Sequence, residues 1–241
     1  VGAAAAVLFL AIYLFGGSAA ALEDGPQISA NWSGYVLPAG PFRAVKGEWV
    51  EPHVSCRRGQ PRAVSFWVGL GGFFPKSSHL EQVGTESDCG PRGRIETYAW
   101  YELLPRFGKR LALNVVPGDR IAAGVRAAGE TVILFVEDRS RHRAVHLSQR
   151  LRHPDLSSAE WIAESPSRCE QNRCTILPLA NFKAVTFTAD SAETASGLVV
   201  HPGSETAVPL VLVPGGEGAI VSAVAAPSPL GPDGTFTVRF R

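Results

Sequence analysis

Cysteine is scarce in this chain, four residues in 241, and the spacing 56, 89, 169, 174 lacks the two short knuckles of a four-thiolate zinc site. No metal site is expected, and no cofactor either. Gly-x-Ser-x-Gly does not occur, so Ser65, Ser77 and Ser78 have no nucleophile-elbow context and do not point to a serine hydrolase. Net charge is close to zero at +1, and arginine outnumbers lysine 19 to 4 without clustering, so no nucleic-acid partner is expected. His142 and His146 are four apart, but they fall in an expected hairpin, where that spacing brings no convergence as it would on a helix. Internal repeats and long low-complexity linkers are missing, and there is little 3.6-residue periodicity to support helices.

Methionine is also absent, and no basic residue precedes the apolar run over residues 3–15. That run is followed by Gly16-Gly17-Ser18-Ala19-Ala20-Ala21 and is short for a membrane span, so residues 1–22 are expected to be a signal peptide, or else an N-terminal anchor, whose true start is missing. Export, to a secreted location without stable membrane association after cleavage, makes the cysteines readable as disulfides. Cys169 and Cys174 enclose a small loop that can close on itself, which leaves Cys56 to pair with Cys89.

What the chain does have is a series of short apolar or alternating runs, at 45–50, 63–70, 95–103, 120–127, 131–137, 144–151, 159–163, 183–189, 219–225 and 235–240. Pro117-Gly118-Asp119, Ala128-Gly129-Glu130 and Pro232-Asp233-Gly234 separate neighbouring runs as turns should. Many short strands with regular turn signals mean an all-β sandwich or barrel, here a single domain over residues 31–241, with the Pro-rich 226–232 stretch as a rigid loop.

The least generic stretch is 80–105, LEQVGTESDCGPRGRIETYAWYELLP. In a strand from Thr97 to Leu103, Tyr98, Trp100 and Glu102 share a face, and a carboxylate beside two aromatics suits a groove that holds an extended chain. Trp67-Val68-Gly69-Leu70-Gly71-Gly72, then Gln82-Val83-Gly84-Thr85-Glu86, Ala99-Trp100-Tyr101-Glu102 and Ala159-Glu160-Trp161-Ile162 follow in the order seen in the glutamic peptidases, or eqolisins, a family this sequence resembles from Asn31-Trp32-Ser33-Gly34 onward.

The resemblance implies an antiparallel β-sandwich of two curved, lectin-like sheets and an exported endopeptidase, favoured by acid, that acts as a monomer on polypeptide substrates. It implies Gln82 as the oxyanion donor and Glu160 as the base that activates water. Alternation puts Glu164, four residues on, on the same strand face, which makes it the fallback base. The resemblance further implies that Trp67, Glu86, Trp100, Tyr101 and Glu102 bind substrate. Two departures stand out. Glu86 replaces an Asp of the fungal members, and Gly71 stands where they carry another Asp, which bears on whether their strongly acidic working range is shared. Asn31-Trp32-Ser33 also fits a glycosylation sequon, although a structural role is expected there. The alternative to an enzyme is a non-catalytic β-sandwich that binds carbohydrate or extended peptide through Trp67 and Trp100.

Overall fold

The computed structural model describes residues 25–170, 173–204, 206–219 and 222–241; the expected signal segment lies outside the described residues. Their strands are β1 (Gln27–Ser29), β2 (Trp32–Leu37), β3 (Phe42–Val50), β4 (Arg62–Leu70), β5 (Glu81–Cys89) and β6 (Ile95–Leu103). Next come β7 (Arg106–Asn114), β8 (Arg120–Ala128), β9 (Thr131–Asp138), β10 (Arg143–Arg150), β11 (Ala159–Glu164) and β12 (Ser167–Glu170). The last six are β13 (Arg173–Ile176), β14 (Ala184–Thr194), β15 (Val199–Val200), β16 (Val208–Leu212), β17 (Ala225–Pro227) and β18 (Phe236–Phe240).

One hydrogen-bonded path runs β10-β9-β8-β3-β14-β18-β17-β16-β2-β11-β4-β5-β6-β7, and β12 with β13 forms a separate ribbon closed by the Cys169–Cys174 disulfide. Pairing along the path is antiparallel throughout, while β1 adds to β16 in parallel. The two ends of the path fold over one another, β4 against β3 and β8, β5 against β8 and β9, and β11 against β3 and β14. That is the sandwich the sequence leads one to expect.

Alternation then sorts the side chains. Val64, Phe66, Val68 and Leu70 of β4, Val83 of β5, Ala99 and Leu103 of β6, and Trp161 and Ala163 of β11 enter the core between the layers. Residues of the opposite parity face outward, and there Trp67, Trp100 and Ile162 form a second, smaller apolar cluster with Val36, Leu80, Val208 and Leu210. Trp161 also ties the layers together, since its indole N–H donates to the Lys46 carbonyl at 2.8 Å. Each large apolar side chain buried this way stabilises the fold by about 1.5–3 kcal/mol.

Most expected strands are present, but of the expected run at 219–225 the described residues place only Ala225 in a strand. The chain turns through Gly215, Gly216 and Gly218, all at positive φ, and among the described residues strand structure resumes at Ala225 and runs to Pro227, into the stretch expected to be a Pro-rich loop. Strands β5 and β7 were hidden by polar composition. β5 has side chains buried on both faces, and β7 is an exposed edge strand. Both expected disulfides, Cys56–Cys89 and Cys169–Cys174, are formed.

Gly84 on β5 explains why that strand can lie so close to β4. A Cβ there would fall 2.0 Å from the Phe66 carbonyl oxygen and 2.7 Å from the Trp67 Cα, both backbone atoms that cannot step aside. Gly84→Ala is expected to destabilise the protein by about 3 kcal/mol or more, measured by denaturant unfolding.

Candidate active site

Three rows of paired residues cross the outward face of β11, β4, β5 and β6. Glu160, Gly69, Gln82 and Glu102 form the first, Ile162, Trp67, Gly84 and Trp100 the second, and Glu164, Ser65, Glu86 and Tyr98 the third. Over most of this face lies a cleft of about 640 Å³, within the size range of small-ligand and peptide sites. Gln82, Glu86, Tyr98, Trp100, Glu102 and Glu164 line it, along with Asn31, Trp32, Ser65 and Leu80. The hairpin between β6 and β7 forms one lip, with Phe107 70 % exposed.

The three carboxylates that line the cleft, Glu86, Glu102 and Glu164, are each held on both oxygens. The Gln82 amide nitrogen donates to Glu102 Oε2 at 2.7 Å, and the Gly108 backbone N–H donates to Glu102 Oε1 at 3.0 Å, so Glu102 links the glutamine to the hairpin lip. Burial pushes the Glu102 pKa upward, opposed by those two hydrogen bonds. Glu86 accepts from Ser65 Oγ at 2.8 Å and from the Tyr98 hydroxyl at 2.7 Å, while the Arg110 guanidinium stacks 3.6 Å over the Tyr98 ring. Burial raises the Glu86 pKa too.

Glu164 is held on both oxygens, as Glu86 and Glu102 are, and its donors come from β4 and from the residue that precedes β2. Its Oε1 accepts from the Asn31 side-chain amide at 2.8 Å and its Oε2 from the Trp67 indole N–H at 2.7 Å. Burial pushes its pKa up to about 8, against the Trp67 hydrogen bond and with an added push from the Glu102 and Glu86 carboxyls. The group is thus fixed in orientation and poised to exchange a proton.

The structure corrects three expectations. Glu160 is fully buried and outside the cleft lining, neither of its carboxylate oxygens has a hydrogen-bond partner, and burial holds its pKa well above the ordinary value. It lies at the covered end of its row, near Asp155 and Glu81, whose charges oppose its ionisation. Trp67 is likewise fully buried, edge-on beneath Trp32 with ring centroids 5.0 Å apart, and supports Glu164 instead of lining the cleft. Tyr101 has the opposite parity to Trp100 and packs against the main core.

Asn31 was read only as a sequon and strand residue, yet its amide is committed to Glu164 inside the cleft. Ser65, Leu80, Tyr98 and Phe107 complete the wall. Tyr98 lies on the groove face expected for it, and for Ser65 the available signal was its shared strand parity with Trp67. Among the described residues no cluster of three His, Cys, Asp or Glu side chains has the geometry to hold a metal ion.

Known proteins share this fold. Aspergillopepsin-2 of Aspergillus niger is 28% identical over 194 residues, a match that takes in 71% of this chain and 66% of that protein's length. The crystal structure of scytalido-glutamic peptidase with a transition-state analogue inhibitor superposes with a TM-score of 0.76 at 23% identity, over 88% of this chain and 99% of that one. SCP-B, described as a member of the eqolisin family and solved with the tripeptide Ala-Ile-His, superposes with a TM-score of 0.72 at 22% identity over the same shares. At such identities these two likenesses concern the fold. The family model of the Peptidase A4 family matches residues 30–221, most of the chain, and the protein therefore belongs to that family, the glutamic peptidases or eqolisins.

Proposed function

We propose that the protein is an endopeptidase in which Gln82 and Glu164 perform the reaction on an extended polypeptide laid across the cleft. Glu164 takes a proton from a water molecule, and the water oxygen attacks the carbonyl carbon of the scissile bond. The charge that develops on the carbonyl oxygen is met by the free N–H of the Gln82 amide, whose other N–H is occupied by Glu102. Glu164 then returns its proton to the amide nitrogen as the C–N bond breaks, which leaves a new carboxyl end and a new amine end.

The observation that carries this reading is the pinning of both groups within one cleft. Glu164 has a donor on each oxygen, leaving a lone pair free for water, and Gln82 cannot rotate away without losing Glu102. A non-catalytic binding module gives no reason for that arrangement, and it loses Trp67 as one of its two stacking platforms. Gln82→Ala is expected to keep the fold and to lower kcat by roughly 10²–10³, the typical cost of a lost oxyanion donor, in a steady-state peptide assay. Activity at the wild-type level in that variant contradicts the assignment.

The acid preference is proposed in a restricted form. Only the ionised form of Glu164 accepts a proton, so below a pKa of about 8 its working fraction falls tenfold per pH unit and kcat/KM rises from acid toward neutrality. Acid favours the folded state instead, as argued below. The optimum lies where the two trends cross. Export is proposed on the two disulfides, which suit an oxidising compartment.

A further inference from the structure

We propose that Asp155 is a positioning residue whose carboxylate ties the loop between β4 and β5 to the lead-in of β11, and so keeps Gln82 in register with Glu164. Strands β5 and β11, which carry those two side chains, never pair, because β4 lies between them. Their starting ends need another connection. The loop over 71–80 and the segment over 155–158 supply it. The Gly71 N–H donates to the Ser158 carbonyl at 3.1 Å, the Gly72 N–H is shared between Asp155 Oδ2 at 3.1 Å and Ser77 Oγ at 3.2 Å, and the Ser77 hydroxyl donates to the same Asp155 oxygen. The Ser157 N–H fixes Asp155 Oδ1 at 2.9 Å, and the Asp155 N–H reaches Glu81 Oε1, the residue before Gln82, at 3.3 Å.

The space for this clasp exists because residue 71 is glycine. A Cβ on Gly71 would sit 2.4 Å from the Asp155 Cβ and 2.6 Å from its carboxyl carbon. With glycine at 71, the Asp155 side chain takes the space beside that residue. Partial burial works against ionisation of Asp155, but the hydrogen bonds from Ser157, Ser77 and Gly72 outweigh it and hold its pKa below the ordinary value. Burial raises both neighbouring carboxyls, Glu81 and Glu160, so Asp155 is the charged member of the group in acid. The catalytic consequence rests on the peptidase reading; the clasp itself does not.

Hydrogen exchange and steady-state kinetics test the two parts separately. In Asp155→Ala the Gly72 amide is expected to exchange at least tenfold faster, and kcat to fall roughly 10–100-fold with KM within about threefold, since a displacement near 1 Å costs on that scale. Gly71→Ala, which pushes Asp155 aside, should show the same pattern. The double variant should be little worse than either, because both remove one interaction. Asp155→Asn, which keeps an oxygen for Gly72 and Ser77, should recover most of the kcat. If either alanine variant does not fold, Ser77→Ala removes one donor to Asp155 and one of the two acceptors of the Gly72 N–H, and should give a smaller loss of the same kind. Unchanged exchange at Gly72, unchanged kcat, or losses that multiply in the double variant overturn the proposal. If the wild-type protein cleaves nothing, the peptidase reading fails and exchange alone decides whether the clasp exists.

Discussion

Glu164→Gln is expected to lower kcat/KM by roughly 10³–10⁴ without loss of structure, whereas Glu160→Gln should stay within about threefold of wild type. The two glutamates are four residues apart on one strand face, and only their surroundings separate them. Glu164 reaches the cleft and holds two hydrogen-bond donors, so an amide in its place could still fill the site but could not take a proton from water. Glu160 is enclosed beside Asp155 and Glu81, where burial raises its pKa and so favours the neutral form. Its amide is therefore a close substitute. Parallel peptide assays on the two purified variants decide between them, and inactive Glu160→Gln beside active Glu164→Gln reverses the assignment.

Stability is expected to fall steeply as pH rises from mild acid through neutrality. Burial pushes the Glu51 pKa up to about 7, against hydrogen bonds from Thr85 and Trp49, and raises Glu81 and Glu164 to about 8. A carboxyl that binds its proton more tightly in the folded state stabilises the fold fully below its unfolded pKa of 4.5, and that contribution is lost as pH climbs to the folded pKa. Glu51 alone accounts for roughly 3 kcal/mol between mild acid and pH 7 to 8. Asp155, held low, acts in the opposite sense and matters only in stronger acid. Glu51→Gln, which mimics the protonated side chain, should flatten the curve by about that amount and be more stable than wild type at pH 8. Urea unfolding at a series of pH values measures it; a wild-type curve that is level or rises toward neutrality contradicts the burial argument.

How far the sequence alone reached can be seen residue by residue. Alternation within β6 was legible, which is why Trp100 and Glu102 lie where expected and why Tyr101, of the wrong parity, should not have joined them. The same rule could not separate Glu160 from Glu164. That distinction comes from tertiary covering, since the 71–80 loop and the 155–158 segment meet at one end of the sheet and leave the other end open. Trp67 failed for a related reason, because Trp32 from β2 lies over it. Asn31 escaped notice as a partner of Glu164 because the two are 133 residues apart and are brought together by the pairing of β2 with β11 and the Ser165 N–H bond to the Asn31 carbonyl. Strand β5 was recognised as a motif and not as a strand, since Gln82, Thr85, Glu86 and Ser87 are buried or half-buried polar residues whose partners lie on other strands.

The most direct test of the central claim is a digest of a denatured protein by the purified wild-type chain, across acid and neutral pH, with pepstatin and a chelator present. The account predicts new internal peptide ends under both inhibitors and none with Glu164→Gln. Cleavage that stops with the chelator, or that persists unchanged in Glu164→Gln, contradicts hydrolysis by an amide and a carboxylate working as a pair.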